Sequence, residues 1–228
     1  FINFIYYIGG KVELLTNGTG LTAVVFLPII SALVLTAIPK SQELLIKGFA
    51  LVSSIITFVL SVLLLPQFDF ANADKLQLGD KITWIKSINA NYEIGIDGIS
   101  LPLLILSTFI TVLAIVYSIE HLPEPKSPKG FLALILVLET GMNGTFVALD
   151  LILFFVFFEI VLLPMYFMIG IWGDKTVRSV AGFKNQIETR LYASIKFFVF
   201  TLFGSAFMLL GFLGLYYRGN KTFSIPEL

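Results

Sequence analysis

Three ionisable side chains lie where hydrocarbon is expected. Glu159 stands inside Leu151-Ile-Leu-Phe-Phe-Val-Phe-Phe-Glu159-Ile-Val-Leu-Leu-Pro164-Met-Tyr-Phe-Met-Ile-Gly-Ile-Trp172. Glu139 follows the apolar run Phe131 to Leu138, and Lys196 falls six or seven residues into the last long apolar segment. An ionised side chain at bilayer depth costs roughly 3 kcal/mol on insertion scales. Residues kept there despite that cost point to ion or proton transfer. The break at Leu149-Asp150 comes ten or eleven residues after Glu139 and nine or ten before Glu159. On antiparallel helices this spacing puts both carboxyls at one depth, roughly 14–16 Å from the turn. Two acids at one level can share a proton or pass it on.

Each residue also has a plainer reading. For Glu139 it is a structural hydrogen bond to Asn143, Thr140 or a neighbouring helix. Lys196, about 10 Å from its helix end, is long enough to snorkel back to the headgroups. Glu159 has no Ser, Thr or Asn in its own helix to satisfy it, and Pro164, five residues on, is expected to loosen the helix just beyond it.

The elements that must hold these groups are transmembrane. Hydrophobic residues make up 57% of the chain and charged residues 13%, and the mean hydropathy is +0.93, far from a soluble domain. The 15 basic and 15 acidic side chains cancel, so no net field recruits nucleic acid. With no cysteine and His121 the single histidine, disulfides, thiolate chemistry and a histidine metal cluster drop out. Phosphate-binding loops and a Ser-His-Asp arrangement are also missing from the sequence. The chain begins with Phe1, as expected of a piece of a longer protein, and its first apolar run is too short for a cleavable signal peptide.

Six segments suffice to span a ~30 Å hydrocarbon layer: 21–39, 43–65, 100–121, 130–149, 151–173 and 190–217. The fold class is therefore an all-α polytopic membrane protein with six transmembrane helices. Pro39-Lys-Ser-Gln42 makes a turn, the prolines between Pro123 and Pro128 stop span three, and Asp150 alone separates spans four and five. Pro28 and Pro164 free backbone carbonyls inside their spans, which water or side chains must satisfy. Gly204-Ser205, Gly211 and Gly214 give span six a small-residue stripe suited to helix packing.

Residues 1–20 form an unassigned N-terminal extension, and 66–99 is the one sizeable extramembrane piece. Within it Ile82–Ile85 and Tyr92–Ile96 alternate as strands, with Asn89-Ala-Asn91 supplying the turn, so a β-hairpin is expected. Ser100 reads as an N-cap, with Pro102 in the first turn and Asp97 as a turn or capping acid. Lys40, Lys47, Lys126, Lys129, Lys175, Arg178, Lys184 and Arg190 fall on one side of the membrane. Lys11, Lys75, Lys81, Lys86, Arg218 and Lys221 fall on the other. The short-loop count favours the first side as cytoplasmic.

The stretch from Asp150 through Glu159 and Pro164 to Gly173 resembles the span-five signature of the antiporter-like subunits of respiratory complex I, in particular its chain 4 or subunit M branch. Tyr192-Ala-Ser-Ile-Lys196-Phe-Phe-Val-Phe-Thr201 with Gly204-Ser205 resembles that family's next helix, and Ile96-Asp-Gly-Ile-Ser100 its segment before span three. Glu139 falls where some members carry an acid. The resemblance runs from about residue 21 to the end. It implies a bundle of about fourteen helices that contains two inverted repeats of about five each, with this chain as roughly the N-terminal half. It also implies that Glu159 pairs with a lysine of span seven, beyond Leu228, so Lys196 is not that partner.

The function that the resemblance implies is that of a proton-translocating subunit of NADH–quinone oxidoreductase, with Glu159 as the switching carboxylate and Glu139 and Lys196 as auxiliary relay groups. No cofactor is expected in this chain. NADH, FMN, iron–sulfur clusters and quinone belong to partner subunits, and the partners are other membrane subunits of complex I, the lipid bilayer and protons. The expected location is a bacterial inner membrane, crossed several times, with an organellar membrane as the alternative. Two other readings stay open: a homologous subunit of a multisubunit Na+/H+ antiporter or membrane-bound hydrogenase, and a passive membrane anchor.

Overall fold

The computed structural model describes residues 18–123, 125, 127–178 and 187–228. Most of the expected N-terminal extension, residues 1–17, lies outside the described residues, as do Lys11, Lys126 and Lys184 of the charge count. Six long helices carry the described chain: α1 Thr19–Ala37, α2 Glu43–Val62, α3 Ser100–Glu120, α4 Pro128–Val147, α5 Leu151–Trp172 and α6 Thr189–Arg218. All six are long and apolar enough to cross a membrane. The all-α polytopic class and the six spans hold, each end within three residues of expectation.

The punctuation works as the residue types dictate. Gln42 N–H donates to Pro39 O at 3.1 Å, closing the turn into α2. Pro128 opens α4 in the first turn, where a missing N–H costs nothing. At the end of the bundle that holds these turns, basic side chains cap carbonyls that helices leave unpaired. Lys129 Nζ donates to Ile38 O at 2.7 Å, Lys47 Nζ to Ile119 O at 3.0 Å, and Arg190 Nη1 to Ile171 O at 2.6 Å. Three helix C-termini thus each receive a cation, where the helix dipole favours one.

At the opposite end, β1 Gln77–Ile85 and β2 Ala90–Ile96 form the antiparallel hairpin. It is longer than expected, because a bulge between Gln77 and Asp80, with Leu78 at φ 52°, carries β1 back past its alternating stretch. The turn also differs. It is a 3-10 turn over Lys86–Ile88, closed by Asn89 in the left-handed region, and Ala90 and Asn91 already belong to β2. A second, two-residue ladder, β3 Val177–Arg178 with β4 Ile187–Glu188, precedes α6 and was not expected.

Between the ends the core divides in two. One apolar cluster lies under the hairpin and includes Leu21, Val24, Leu64, Phe68, Ile94, Ile96, Leu104, Val147 and Phe157. The other lies toward the basic end and holds Ala32, Leu35, Ile46, Ala50, Ile115, Leu132, Ile135 and Leu136. The stretches of α2, α3 and α4 between the two are polar and buried: Ser53, Ser54, Thr57 and Ser61; Ser107, Thr108 and Thr111; Glu139, Thr140 and Asn143. That layer contains one of the three candidate residues.

Candidate functional site

Glu139 is fully buried, and neither carboxyl oxygen has a hydrogen-bond partner among the described residues. The structural bond expected for it, to Asn143, Thr140 or a neighbouring helix, is not made among the described residues. Thr140 donates instead to Leu136 O. Asn143 accepts from Ser107 Oγ at 3.1 Å and donates through Nδ2 to Val24 O at 3.4 Å. Val24 O is the carbonyl that Pro28, lacking an N–H, leaves without its intrahelical donor. The expectation that a side chain would satisfy a proline-freed carbonyl is met at this position.

Glu159 is half-buried, and its Oε1 is buried with no partner among the described residues. Its level and facing follow from how α4 meets α5. A Cβ on Gly141 would lie 2.7 Å from Val161 Cγ2 and 3.1 Å from Phe157 O, and one on Gly144 would fall into the Phe157 ring. Gly141 is therefore level with the midpoint of Phe157 and Val161, which is Glu159. Glu139 then lies within about 3 Å of that depth. The two acids do not face each other. Glu139 is two residues from Gly141, and Glu159 is two residues from both Phe157 and Val161. At 100° per residue each carboxyl is turned about 160° from the α4–α5 contact. Glu139 points toward α1 and α3 with Asn143, and Glu159 points away from α4 altogether.

Lys196 is exposed on α6, its Nζ 5.5 Å from the centroid of the Tyr192 ring one turn back. The register of α6 against α5 comes from Tyr166 on Phe198, ring centroids 5.3 Å apart, and from Gly170 against Ser194. It carries Glu159 to the level of Ser205, nine residues from Lys196. That is about 13 Å along the axis, so the structure does not bring Lys196 to either carboxyl. Nor does Pro164 break α5. The helix runs without interruption from Leu151 to Trp172, with Pro164 buried inside it. One missing N–H removes one hydrogen bond, and the rest of the ladder holds on both sides.

Asp97 is a cap. Its Oδ1 accepts from Ile99 N at 3.0 Å and Ser100 N at 2.7 Å, while Asp97 N donates to Ser100 Oγ at 2.9 Å. The expected N-cap role of Ser100 passes to Asp97: Ser100 is the first helical residue, and Ile99 before it offers no side-chain cap. The Ser100 N–H holds the Asp97 carboxyl below the usual carboxylate range, against the opposing effect of partial burial.

Asp150, expected only to separate spans four and five, does more. It is fully buried, caps α5 by accepting from Ile152 N and Leu153 N, and accepts Asn91 N of the hairpin at 2.9 Å. An acid directly before a long apolar run signals the cap. Nothing local signals the bond to residue 91.

The family described as "NADH-ubiquinone oxidoreductase chain 4, amino terminus" matches residues 23–145, more than half of the chain. The chain belongs to this chain 4 family. A second family, "NADH:quinone oxidoreductase/Mrp antiporter, TM", matches residues 148–228. Among similar chain 4 proteins, the NAD(P)H-quinone oxidoreductase chain 4 of Gloeobacter violaceus is 36% identical over 210 residues, covering 91% of this chain and 36% of that protein. NADH-quinone oxidoreductase subunit M of Rickettsia typhi is 35% identical, covering 84% of this chain and 37% of its own length. The fold is shared with a chain of respiratory complex I from Thermus thermophilus, at TM-score 0.71 and 24% identity over 91% of this chain and 38% of that one. This chain spans less than two fifths of the length of these relatives. It is a multi-pass membrane chain of the complex I antiporter-like kind, corresponding to the N-terminal part.

Proposed function

We propose that this chain is part of a proton-translocating membrane subunit of NADH–quinone oxidoreductase in a bacterial inner membrane. Quinone reduction in partner subunits, which hold NADH, FMN, iron–sulfur clusters and quinone, biases the charge of a relay inside the membrane. Glu159 is the switch. It is ionised while a protonated basic partner from the remainder of the bundle is near, and neutral when that partner withdraws. Lys196 and Glu139 serve as auxiliary proton-binding groups on the helices that flank α5.

The observation that carries this reading is the Glu159 carboxyl itself. One oxygen is buried without a partner among the described residues, on the side of α5 turned away from α4. A structural acid would be expected to have its bonds made. This one is left open to a partner that moves. The test is Glu159→Gln in the full-length protein within the assembled complex. Proton translocation per electron is expected to be lost while the complex still assembles. Translocation at the wild-type ratio would overturn the proposal.

A second reading keeps the same carboxylate but changes the machine, to a subunit of a multisubunit Na+/H+ antiporter. The family description matched by residues 148–228 names quinone oxidoreductase and Mrp antiporter together and so admits both machines, while the chain 4 match over residues 23–145 favours the first. Transport that needs Na+ but neither NADH nor quinone would favour this reading over the first.

A further inference from the structure

Alternation along the hairpin divides its side chains between two faces. Asp80 and Ile82, with their cross-strand partners Ile94 and Tyr92, point one way, and the pair Lys81 and Glu93 points the other. The first face is the one pressed on the bundle. Ile94 is buried in the apolar cluster, the Tyr92 hydroxyl meets Thr22 Oγ1 of α1 at 2.9 Å, and the Tyr92 ring lies 6.2 Å from that of Phe26. Asp80 is therefore an acid on the apolar side of its strand. It lies against Gly18, which enters α1 at φ 71° and where a Cβ would collide with that of Asp80.

Beneath this face the hairpin roofs a groove of about 450 Å³. One wall is α1 from Thr19 to Ile30, and Leu60 near the end of α2 forms the other. By helix rise the α1 wall is about 16 Å deep, close to one leaflet of a ~30 Å hydrocarbon layer. Ala23, Phe26, Leu27 and Ile30 keep it apolar along its depth, while Thr19, Thr22, Tyr92 and Asp80 gather its polar groups at the roof. Exposed Ile82 and Trp84 put that roof at the membrane–water boundary. An apolar slot one leaflet deep, with its polar end at headgroup level, has the shape of an acyl chain and the head above it.

The charge at the polar end selects the head. Among the described residues no basic side chain lines the groove. Lys81, next along β1, is turned to the opposite face, where Glu93 at 3.3 Å and Glu227 at 2.7 Å hold its ammonium. Asp80 Oδ1 accepts from the Lys81 backbone N–H at 2.8 Å. The start of α1 beside it supplies a partial positive charge, not a counter-ion. The Asp80 charge is felt in the groove: burial pushes the Tyr92 phenol above its ordinary value of 10.0, and the Asp80 carboxylate pushes it the same way against the Thr22 bond. A purely anionic headgroup would be repelled here, whereas a primary ammonium answers the acid.

We infer that this groove is a phospholipid site, taking one acyl chain between α1 and α2 and the ammonium of a phosphatidylethanolamine head at Asp80. The site is separate from the acids of α4 and α5 and stands whether or not they carry protons. The test places a photoreactive benzoylphenylalanine at Ile82 of the full-length protein, with the assembled complex in vesicles of equal parts phosphatidylethanolamine and phosphatidylglycerol. Illumination should give a lipid adduct, and mass spectrometry should find the ethanolamine head in excess over glycerol. Asp80→Asn, which keeps an oxygen for the Lys81 N–H, should lower that excess by about two- to fivefold, the range that an exposed ion pair supplies. Ala23→Phe, which fills the slot from α1, should remove most of the lipid adduct of either kind. Adducts to peptide in place of lipid, whether from residues 1–17 or from another subunit, would overturn the inference. So would equal shares of the two heads, an excess unchanged in Asp80→Asn, or a lipid adduct undiminished in Ala23→Phe. Should Ala23→Phe fail to assemble, the ratio of heads in Asp80→Asn decides.

Discussion

The Asp150 carboxylate accepts the Asn91 N–H at 2.9 Å with one oxygen while the other caps α5 at Ile152 and Leu153. A single buried acid therefore joins the hairpin to the helix that bears Glu159. Backbone bonds on either side complete the clasp: Leu149 N to Glu93 O, Leu151 N to Phe223 O and Ile225 N to Leu149 O. Asp150→Ala leaves buried N–H groups without an acceptor, at about 1–3 kcal/mol for each that stays dry, and removes a cap of about 1 kcal/mol. Thermal denaturation of the assembled complex should shift down markedly. Asp150→Asn, keeping one carbonyl oxygen, should fall between. An unchanged melting temperature in the alanine variant would mean that the clasp does not depend on this acid.

Pro28 and Asn143 form a second coupled pair across helices. Asn143→Ala strands Val24 O, because Pro28 has no N–H to offer it. Pro28→Ala restores that donor from within α1. The double variant should therefore be less destabilised than the sum of the singles, with a coupling of about 1 kcal/mol. Strict additivity in a double-mutant cycle would show that Asn143 does not satisfy Val24 O.

These two cases mark what a sequence discloses. The spans were readable because unbroken hydrophobicity over about 20 residues suits a bilayer crossing and little else. The loop prolines were readable because a missing N–H acts locally. Pro28 announced a free carbonyl, yet the residue that answers it is 119 positions away, and only packing reveals it. The facing of Glu139 and Glu159 was equally hidden. Their depth comes from counting residues to a turn, but their rotation is set by Gly141 and Gly144 pressed against Phe157 and Val161. The length of the hairpin escaped because the alternation of Leu76-Gln77-Leu78 breaks at Gly79-Asp80, where an acid takes the apolar position, and a bulge carries β1 across the break.

The α4–α5 contact is a third place to test. A Cβ on Gly144 would occupy the space of the Phe157 ring, whereas one on Gly48 of α2 meets nothing within 4 Å. Gly144→Ala should push α4 from α5 and cost about 1–3 kcal/mol. Gly48→Ala should be neutral, or stabilising by up to about 1 kcal/mol through helix propensity. Because the same contact sets the rotation of both acids, Gly144→Ala should also lower translocation without touching a titratable group. Equal stability and translocation in the two variants would remove that link.

The cap at Asp97 makes the start of α3 sensitive to acid. Its carboxyl titrates below its ordinary value of 3.8 because Ser100 N–H and Ile99 N–H bind the ionised form. A group whose folded value is depressed stabilises the fold above its unfolded value, and that stability is lost as pH falls through the folded value. In Asp97→Ala the amides of Ile99 and Ser100 should exchange faster with solvent at neutral pH, in line with loss of a cap of about 1 kcal/mol. The gap between variant and wild type should narrow once pH drops below 3.8 and close as the wild-type carboxyl protonates. Asp97→Asn, which can still accept at Oδ1, should keep much of the protection and lose its acid dependence. Protection in the wild type that stays constant from neutral pH to well below 3.8 would show that the charge of Asp97 does not hold the start of α3.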